Sequence, residues 1–351
     1  MTELSVVDLR VVLAKKTILS GLSFSVATGE LFCLLGPTNS GKTTLLKTIA
    51  GIYPVQGGKM LFRGEDRTET AVGRRPVSLL FQSIALFPHL TGFDNLAFPL
   101  KRQNLTPGEL RRRVGQIAEL LRITHLLTRF PRTFSGGERQ RVALGRAMIQ
   151  PARLLLLDEP LSSLDARIRL ELRNEFRRIH RQQEQTTIYV THDPVEALGL
   201  ADRVGILQEG SLVQVGSARG VYENPANEFI AQQLGLINLV RFEIIDSTSA
   251  VWLPDASVKL DNGNAVPPFS GGLLGVRPEW VSVSAAAKQE TPWPATVETI
   301  EFSGHYSLVS LGIGSARLRA RVTERLLLTK GKRVWIGLSR APLYFESPQK
   351  V

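Results

Sequence analysis

One cysteine, Cys33, is the whole thiol complement of the chain. An internal disulfide is therefore excluded, and a reducing, cytosolic setting is expected. Cys33 sits inside the apolar run ELFCLLG, where a thiol packs as a small inert hydrophobe. No apolar run approaches the roughly 18 residues that a membrane-crossing helix needs. The densest patch, Leu154–Leu157, has the length of a short strand. Met1 to Ser5 runs straight into alternating, strand-like sequence, so no secretory leader is expected. Repeats, low-complexity tracts and heptad runs are all lacking. Aromatics are only 7% of the residues, and no aromatic-rich basic motif of the kind that marks nucleic-acid-binding modules accompanies the charge. The net charge of +11 is therefore assigned to solvated helix faces rather than to a nucleic-acid partner. ARIRLELRNEFRRIHRQ is the example: Leu164, Ile168, Leu172, Phe176 and Ile179 form an apolar stripe at helical spacing, with Arg and Glu on the other faces.

What is present begins with length. At 351 residues the chain can bury two cores. Its 43% apolar and 21% charged residues suit a soluble globular protein. The first part alternates short apolar runs with helical stretches. ELFCLLG leads into a helix near Thr43, while RLLLLDEP and TTIYVTHD each stand between two helices. That is the pattern of an α/β domain with a largely parallel sheet. After ENPANEFIAQQLG the texture changes. Prolines and glycines punctuate short strands, Arg317–Val322 alternates basic with apolar residues, and Gly314-Ser315 reads as a tight hairpin turn. Residues 236 onward are expected to form a small all-β domain, sandwich or barrel.

GPTNSGKTT matches the phosphate-loop pattern at Gly36, Gly41, Lys42 and Thr43. Backbone N–H groups of the residues that follow Pro37 in the loop, Thr38, Asn39 and Ser40, are spaced to wrap a β-phosphate, with Pro37 part of the same nucleotide-binding loop. Lys42 reaches the β- and γ-phosphates as a point charge. Thr43 offers a hydroxyl to Mg²⁺, and the helix that starts here, with Thr44 in its first turn, turns its positive end to the anion. LLLLDEP supplies an apolar strand ending in Asp158, a carboxylate suited to the Mg²⁺ shell through water, followed by Glu159, suited to orient or deprotonate the attacking water. TFSGGERQRVALGRAM holds a second cradle: Ser135, Gly136 and Gly137 stand before another helix, with free N–H groups, a hydroxyl and no obstructing side chains.

Two phosphate cradles so far apart in one chain pose a question that the residues answer together. The order phosphate loop, Gln82 in LLFQSIALFPHLT, Ser135-Gly136-Gly137-Glu138, Asp158-Glu159, SSLDA around Asp165, and His192 in YVTHD resembles the ATP-binding subunits of ABC transporters. The resemblance implies a P-loop ABC ATPase cassette over residues 1–235, with a helical subdomain over about 88–150. It implies that two subunits pair head to tail, each serine-glycine-glycine loop capping the γ-phosphate of an ATP held by the partner. Gln82 is implied to touch Mg²⁺ and the attacking water, and His192 the γ-phosphate. Asp165 is implied to lie at the dimer seam, a place compatible with the helix cap that SSLDA also suits. SIALFPHLTGFDNLAFPL is implied to receive a short helix from each of two membrane permease subunits.

Two residues depart from the family's usual pattern. The signature reads Phe134-Ser-Gly-Gly-Glu138 where Leu and Gln are commoner, a change that keeps the cradle. Leu13 stands where relatives place an aromatic that stacks on adenine, a loss worth about 1 kcal/mol. GVRPEWVSVS and ATVETIEFSGHYSLVSL resemble the accessory OB-like (TOBE) domain of bacterial solute-importer ATPases, over 236–351. FPHLTGFDNLAFPL, YENPANEFIAQQLG and LINLV look most like the carbohydrate-uptake branch. The whole implies an ATPase at the cytoplasmic face of the bacterial inner membrane, working with permeases and, indirectly, an extracytoplasmic solute-binding protein. Importers of polyamine, ferric iron or sulfate are the alternatives. A soluble nucleic-acid- or ribosome-associated ABC ATPase is disfavoured, since the chain carries one cassette and no coiled-coil insertion.

Overall fold

The computed structural model describes residues 1–81, 86–150, 152–162, 164–246, 249–252, 258–261, 271–323 and 326–346. The chain divides into two compact units, Met1–Glu223 and Asn224–Val351. In the first, β1 (Thr2–Leu13) and β2 (Lys16–Ala27) form an antiparallel hairpin closed by Ala14 and Lys15, both at positive φ, 47° and 65°. Two consecutive left-handed residues make a type I′ turn, whose twist matches the flanking strands. β3 (Leu31–Leu35) runs into the phosphate loop and α1 (Lys42–Ile49). β4 (Gly57–Phe62) and β5 (Glu65–Asp66) complete a four-stranded sheet of order β2-β1-β4-β5.

β6 (Val77–Leu80) belongs to a second sheet and precedes the helical part, α2 (Gly92–Ala97), α3 (Pro107–Leu120) and α4 (Gly136–Met148). Thr106 and Glu109 cap α3 reciprocally, with Pro107 in its first turn, and this fixes where the helix begins. α4 packs closely on its neighbours because Gly145 has no side chain. A Cβ there would lie 2.8 Å from a Leu96 methyl on α2 and 2.9 Å from a Leu121 methyl at the end of α3. β7 (Leu154–Asp158), α5 (Ala166–Gln183), β8 (Thr186–Thr191), α6 (Pro194–Leu200), β9 (Arg203–Gln208), β10 (Ser211–Ser217) and α7 (Ala218–Glu223) follow.

The second sheet runs β10-β9-β3-β8-β7-β6 and is parallel except for β10 at its edge. Of its inner strands, β3, β8 and β7 are buried along their whole length, which is why LFCLL and LLLLD read as continuous apolar runs rather than alternations. On α5, Leu172, Phe176 and Ile179 are buried while Arg167, Arg177 and Arg178 are exposed. The basic run is thus a solvated face, as the stripe leads one to expect.

The second unit opens with α8 (Glu228–Gln233) and continues through β11 (Asn238–Asp246), β12 (Ser249–Trp252), β13 (Val258–Asp261), β14 (Gly271–Val276) and β15 (Val281–Ser284). It ends with β16 (Trp293–Phe302), β17 (Ser307–Ile313), β18 (Ala316–Val322), β19 (Arg333–Leu338) and β20 (Leu343–Glu346). All described pairings are antiparallel, in two five-stranded sheets of order β13-β12-β11-β14-β20 and β15-β19-β16-β17-β18. Gly314 and Ser315 make the two-residue turn between β17 and β18, and Leu318 and Ala320 are buried between exposed Arg317, Arg319 and Arg321.

Sequence texture puts the division near 235, whereas α8 packs with the second unit. Arg277 gives the physical reason. It is fully buried, and its Nη1 donates to the carbonyls of Ala231 (2.9 Å), Gly235 (3.3 Å) and Leu236 (3.4 Å), satisfying the C-terminal end of α8. Arg277→Met is expected to lower the stability of the second unit by about 3 kcal/mol, since it strands buried carbonyls. Urea unfolding followed by the tryptophans of this unit measures it.

Candidate nucleotide site

The carboxyl ends of neighbouring parallel strands are where open α/β sheets bind ligands. Here β3, β8 and β7 lie side by side, and their ends deliver the phosphate loop, His192 and the Asp158-Glu159 pair. The loop is shaped by its backbone. Asn39 (φ 67°) and Gly41 (φ 107°) are left-handed, and no side chain caps the start of α1, so its first N–H groups are open to an anion. Gly36 has no room for a side chain: a Cβ would lie 2.2 Å from the carbonyl oxygen of Leu207. Ser40 N–H donates to the carbonyl of Pro37 (3.2 Å), which closes the loop.

Lys42 is only 5% exposed, and its Nζ donates to the carbonyls of Gly36 (2.9 Å) and Pro37 (2.8 Å). Burial draws its pKa down, while the nearby carboxylates of Glu159 and Asp158 oppose that shift. Thr43 Oγ1 donates to Asp158 Oδ1 at 3.0 Å. Burial raises the Asp158 pKa against that hydrogen bond. Glu159 has φ 45°, its N–H donates to the carbonyl of Val190 on β8 (2.9 Å), and its carboxylate lies 3.1 Å from His192 Nδ1. The strained backbone turns this side chain away from the strand direction and into the space above the loop.

That space is a cavity of about 640 Å³, lined on the loop side by Thr38, Asn39, Gly41, Lys42, Thr43 and Thr44. Glu159 and His192 line it as well, and so do Lys16 and Ile18 of β2. Gly36, Pro37 and Ser40 therefore act as the loop's frame, and the other loop residues singled out from the sequence face the cavity. Gln82 lies outside the described residues. Leu13 does not line the cavity; it is half-buried and packs on the hydrophobic core of the first unit. Leu13→Trp is accordingly expected to leave the ATP Kd within about twofold and to destabilise the fold by about 1–3 kcal/mol through overpacking. Titration with ATP and urea unfolding of the same variant check both parts.

The second cradle stands apart from this cavity. Ser135 caps α4: its Oγ accepts from Glu138 N–H (3.2 Å), and Glu138 accepts from Ser135 N–H (2.7 Å). Glu138 also meets His125 Nε2 at 3.1 Å. Its pKa is lowered chiefly by the Ser135 backbone donor. Gly137 faces α5, where its Cβ would lie 3.1 Å from Ile168. Asp165 caps α5 through Ile168 N–H (3.0 Å). None of these lines the phosphate-loop cavity.

Sequence reasoning missed Lys16 and Ile18. It also missed the support under His192. Tyr189 Oη and Thr191 Oγ1 both donate to Glu196 Oε2, at 3.0 and 2.8 Å, and Arg169 donates to Leu164 O (2.8 Å) while approaching Asp193 (3.7 Å). Burial raises the Glu196 pKa against those two hydroxyl donors. The i, i+5 spacing of Thr191 and Glu196 across a strand end is not a pattern that sequence alone marks as a pair.

Residues 19–162 match the family model described as ABC transporter, and residues 274–345 match the TOBE domain. The chain is 40% identical over 315 residues, 89% of its own length and 90% of the relative's, to the molybdate/tungstate import ATP-binding protein WtpC of Pyrococcus horikoshii. The chain belongs to the ABC transporter ATPase family. It is 39% identical over 291 residues to the spermidine/putrescine import ATP-binding protein PotA of Nitrosomonas eutropha, covering 82% of this chain and 80% of that one. It is 36% identical over 332 residues to the maltose/maltodextrin import ATP-binding protein MalK of Yersinia pestis, covering 90% and 88%. Among solved structures it resembles cbiO1 from Clostridium perfringens, part of the ABC transporter complex cbiONQ, with TM-score 0.59 and 25% identity over 63% of this chain and 91% of that one. This ABC ATPase is an ATP-hydrolysing subunit of the importer type, with an ABC cassette followed by a β-rich TOBE domain. Among its described residues no helix is long and apolar enough to cross a membrane.

Proposed function

We propose that two copies of this ABC ATPase, or one copy and a close relative, close around two ATP molecules and drive a pair of permease subunits at the cytoplasmic face of the inner membrane. The observation that carries this reading is the separation of the two cradles. The phosphate loop, Glu159 and His192 share one cavity, and Ser135-Gly136-Gly137 lie outside it. A chain that cannot bring its second cradle to its own nucleotide needs another chain to use it.

Within the site, Lys42 and the open N–H groups of α1 hold the β- and γ-phosphates. Among the described residues no three His, Cys, Asp or Glu side chains cluster as a metal site. Mg²⁺ needs no such cage, because it takes one or two protein oxygens together with substrate phosphates. The hydroxyl of Thr43 and the carboxylate of Asp158, 3.0 Å apart, are hard oxygen donors that fit it, with Gln82 as the third candidate from the sequence. When bound with the nucleotide, Mg²⁺ neutralises phosphate charge. Glu159 takes a proton from the attacking water, and His192, held 3.1 Å from it, keeps the carboxylate aimed and meets the γ-phosphate. In the closed pair, Ser135 of one chain donates its hydroxyl hydrogen to the γ-phosphate held by the other, while its oxygen goes on accepting from Glu138 N–H. Hydrolysis then loosens the pair and resets the permeases, a population shift between two conformations.

Sugar is the cargo that the segments FPHLTGFDNLAFPL and LINLV favour. Polyamine is the second reading, favoured by 44% identity over 229 residues to PotA of Thermotoga maritima. Uptake of labelled maltose, spermidine and molybdate by cells lacking this chain separates them. Loss of maltose uptake, restored by the wild type and not by Glu159→Gln, is the expected result. Loss of spermidine or molybdate uptake instead would overturn the sugar assignment, and loss of none of the three would count against it equally.

A further inference from the structure

His192 is the exposed half of the pair that it forms with Glu159: its side chain is 54% exposed, against 16% for Glu159. Packing alone does not aim such a ring, so its direction comes from the backbone beneath it. That backbone is a tight turn. Thr191 Oγ1 accepts from Asp193 N–H at 3.0 Å, which closes Thr191-His192-Asp193, and Asp193 Oδ1 accepts from Val195 N–H at 2.8 Å to start α6. The same Thr191 hydroxyl gives its one hydrogen to Glu196 Oε2 at 2.8 Å, so it is fixed from two sides.

Glu196 is 2% exposed, in the first turn of α6, and it does not line the phosphate-loop cavity. A buried carboxylate is costly unless its neighbours satisfy it. Tyr189 Oη, at 3.0 Å, and Thr191 Oγ1 both donate to the one oxygen Oε2, and the charges of Asp193 and Arg169 also act on this carboxyl. Tyr189 and Thr191 share one face of β8. Val190, between them, gives its carbonyl to Glu159 N–H at 2.9 Å. The end of β8 therefore holds both members of the pair, Glu159 through Val190 and His192 through Thr191.

We propose that Glu196 is a positioning residue for ATP hydrolysis: as a hydrogen-bond acceptor it fixes the Thr191 hydroxyl, and Thr191 fixes the turn that keeps His192 on Glu159. The inference rests on the part that the functional reading gives to His192. The site needs an acceptor at one point, not a negative charge, because both hydroxyls converge on a single oxygen. A glutamine whose carbonyl oxygen takes that place keeps both bonds, whereas alanine leaves two buried hydroxyls unpaired. Loss of the Thr191 tether frees the half-exposed ring without touching the phosphate loop, so turnover falls rather than ATP binding.

The test is steady-state ATP hydrolysis by the full chain, with thermal unfolding alongside, for the wild type, Glu196→Gln, Glu196→Ala, Thr191→Val, Thr191→Ser, His192→Ala and the double variant Thr191→Val/His192→Ala. Thr191→Val keeps the shape of the side chain and loses both bonds, and is expected to lower kcat about tenfold with KM for ATP within about twofold. Glu196→Ala is expected to act in the same direction, while Thr191→Ser and Glu196→Gln stay within about twofold of the wild type. When His192 is already alanine there is no ring to aim, and Thr191→Val is expected to cost less than about twofold more. A merely structural role gives the same loss in both backgrounds, and that additivity overturns the proposal. So does Thr191→Val with wild-type kcat, or Glu196→Gln as damaged as Glu196→Ala. If Glu196→Ala does not fold, the Thr191 variants decide between the same two results. His192→Ala with wild-type kcat removes His192 from hydrolysis, so that part of the functional reading fails first and takes the proposal with it; a large His192→Ala effect with an additive Thr191→Val loss overturns the proposal alone.

Discussion

Replacing Glu159 by glutamine is expected to lower steady-state ATP hydrolysis by about 10² to 10⁴, the usual contribution of a positioned general base. The amide keeps the shape of the side chain and its place beside His192 Nδ1, but it cannot accept a proton from water. ATP affinity is expected to hold or rise, because one negative charge near the bound phosphates is gone. A fall in kcat without loss of binding distinguishes this role from simple support of the loop. His192→Ala should lower kcat as well, by a smaller factor, because it removes the group that aims Glu159 rather than the base. Hydrolysis by Glu159→Gln within tenfold of the wild type would remove Glu159 from the chemistry. Steady-state phosphate release and nucleotide titration on the same preparations decide it.

Lys42→Ala is the second large effect. The lysine stem is buried, and its ammonium is held over the loop by Gly36 and Pro37, ready to exchange those carbonyls for phosphate oxygens. Hydrogen bonds to charged groups are worth about 1.5–3 kcal/mol each, so loss of contact with two phosphates is expected to raise the ATP Kd by about 10² to 10⁴. Lys42→Arg should not rescue it, because a planar fork cannot fit where a compact ammonium is enclosed by the loop. Thermal unfolding of the nucleotide-free variant should stay within a few degrees of the wild type, which separates lost binding from lost fold. Equal ATP affinity in Lys42→Ala and the wild type would contradict the assignment of the cavity.

How much of this was open to sequence reasoning follows the range of the forces involved. Strands β3 and β7 are legible because a parallel strand buried on both faces reads as a near-continuous apolar run, as LFCLL and LLLLD do, and β8 is legible from the β-branched and aromatic residues of TTIYVT. The phosphate loop is legible because its glycines answer local backbone needs. The capping box of α4 is legible as Ser-x-x-Glu, while His125, the third member, comes from a separate turn and leaves no spacing signal. Leu13 and Ile18 show the limit. Both pack on the core, yet only Ile18, beside the register shift between Val11 and Val12, also lines the cavity, and the composition of the hairpin does not record that shift. The division between units is hidden for a similar reason, since Arg277 binds α8 carbonyls from more than forty positions away.

The head-to-tail pairing of the two cradles is the centre of the account, and the mass of purified Glu159→Gln by light scattering, with and without ATP and Mg²⁺, tests it most directly. The stalled variant is expected to be a monomer alone and to double in mass when ATP is added, with the doubling lost when Ser135 is also changed to arginine. A chain that binds ATP yet keeps its monomer mass would contradict pairing between copies of this chain.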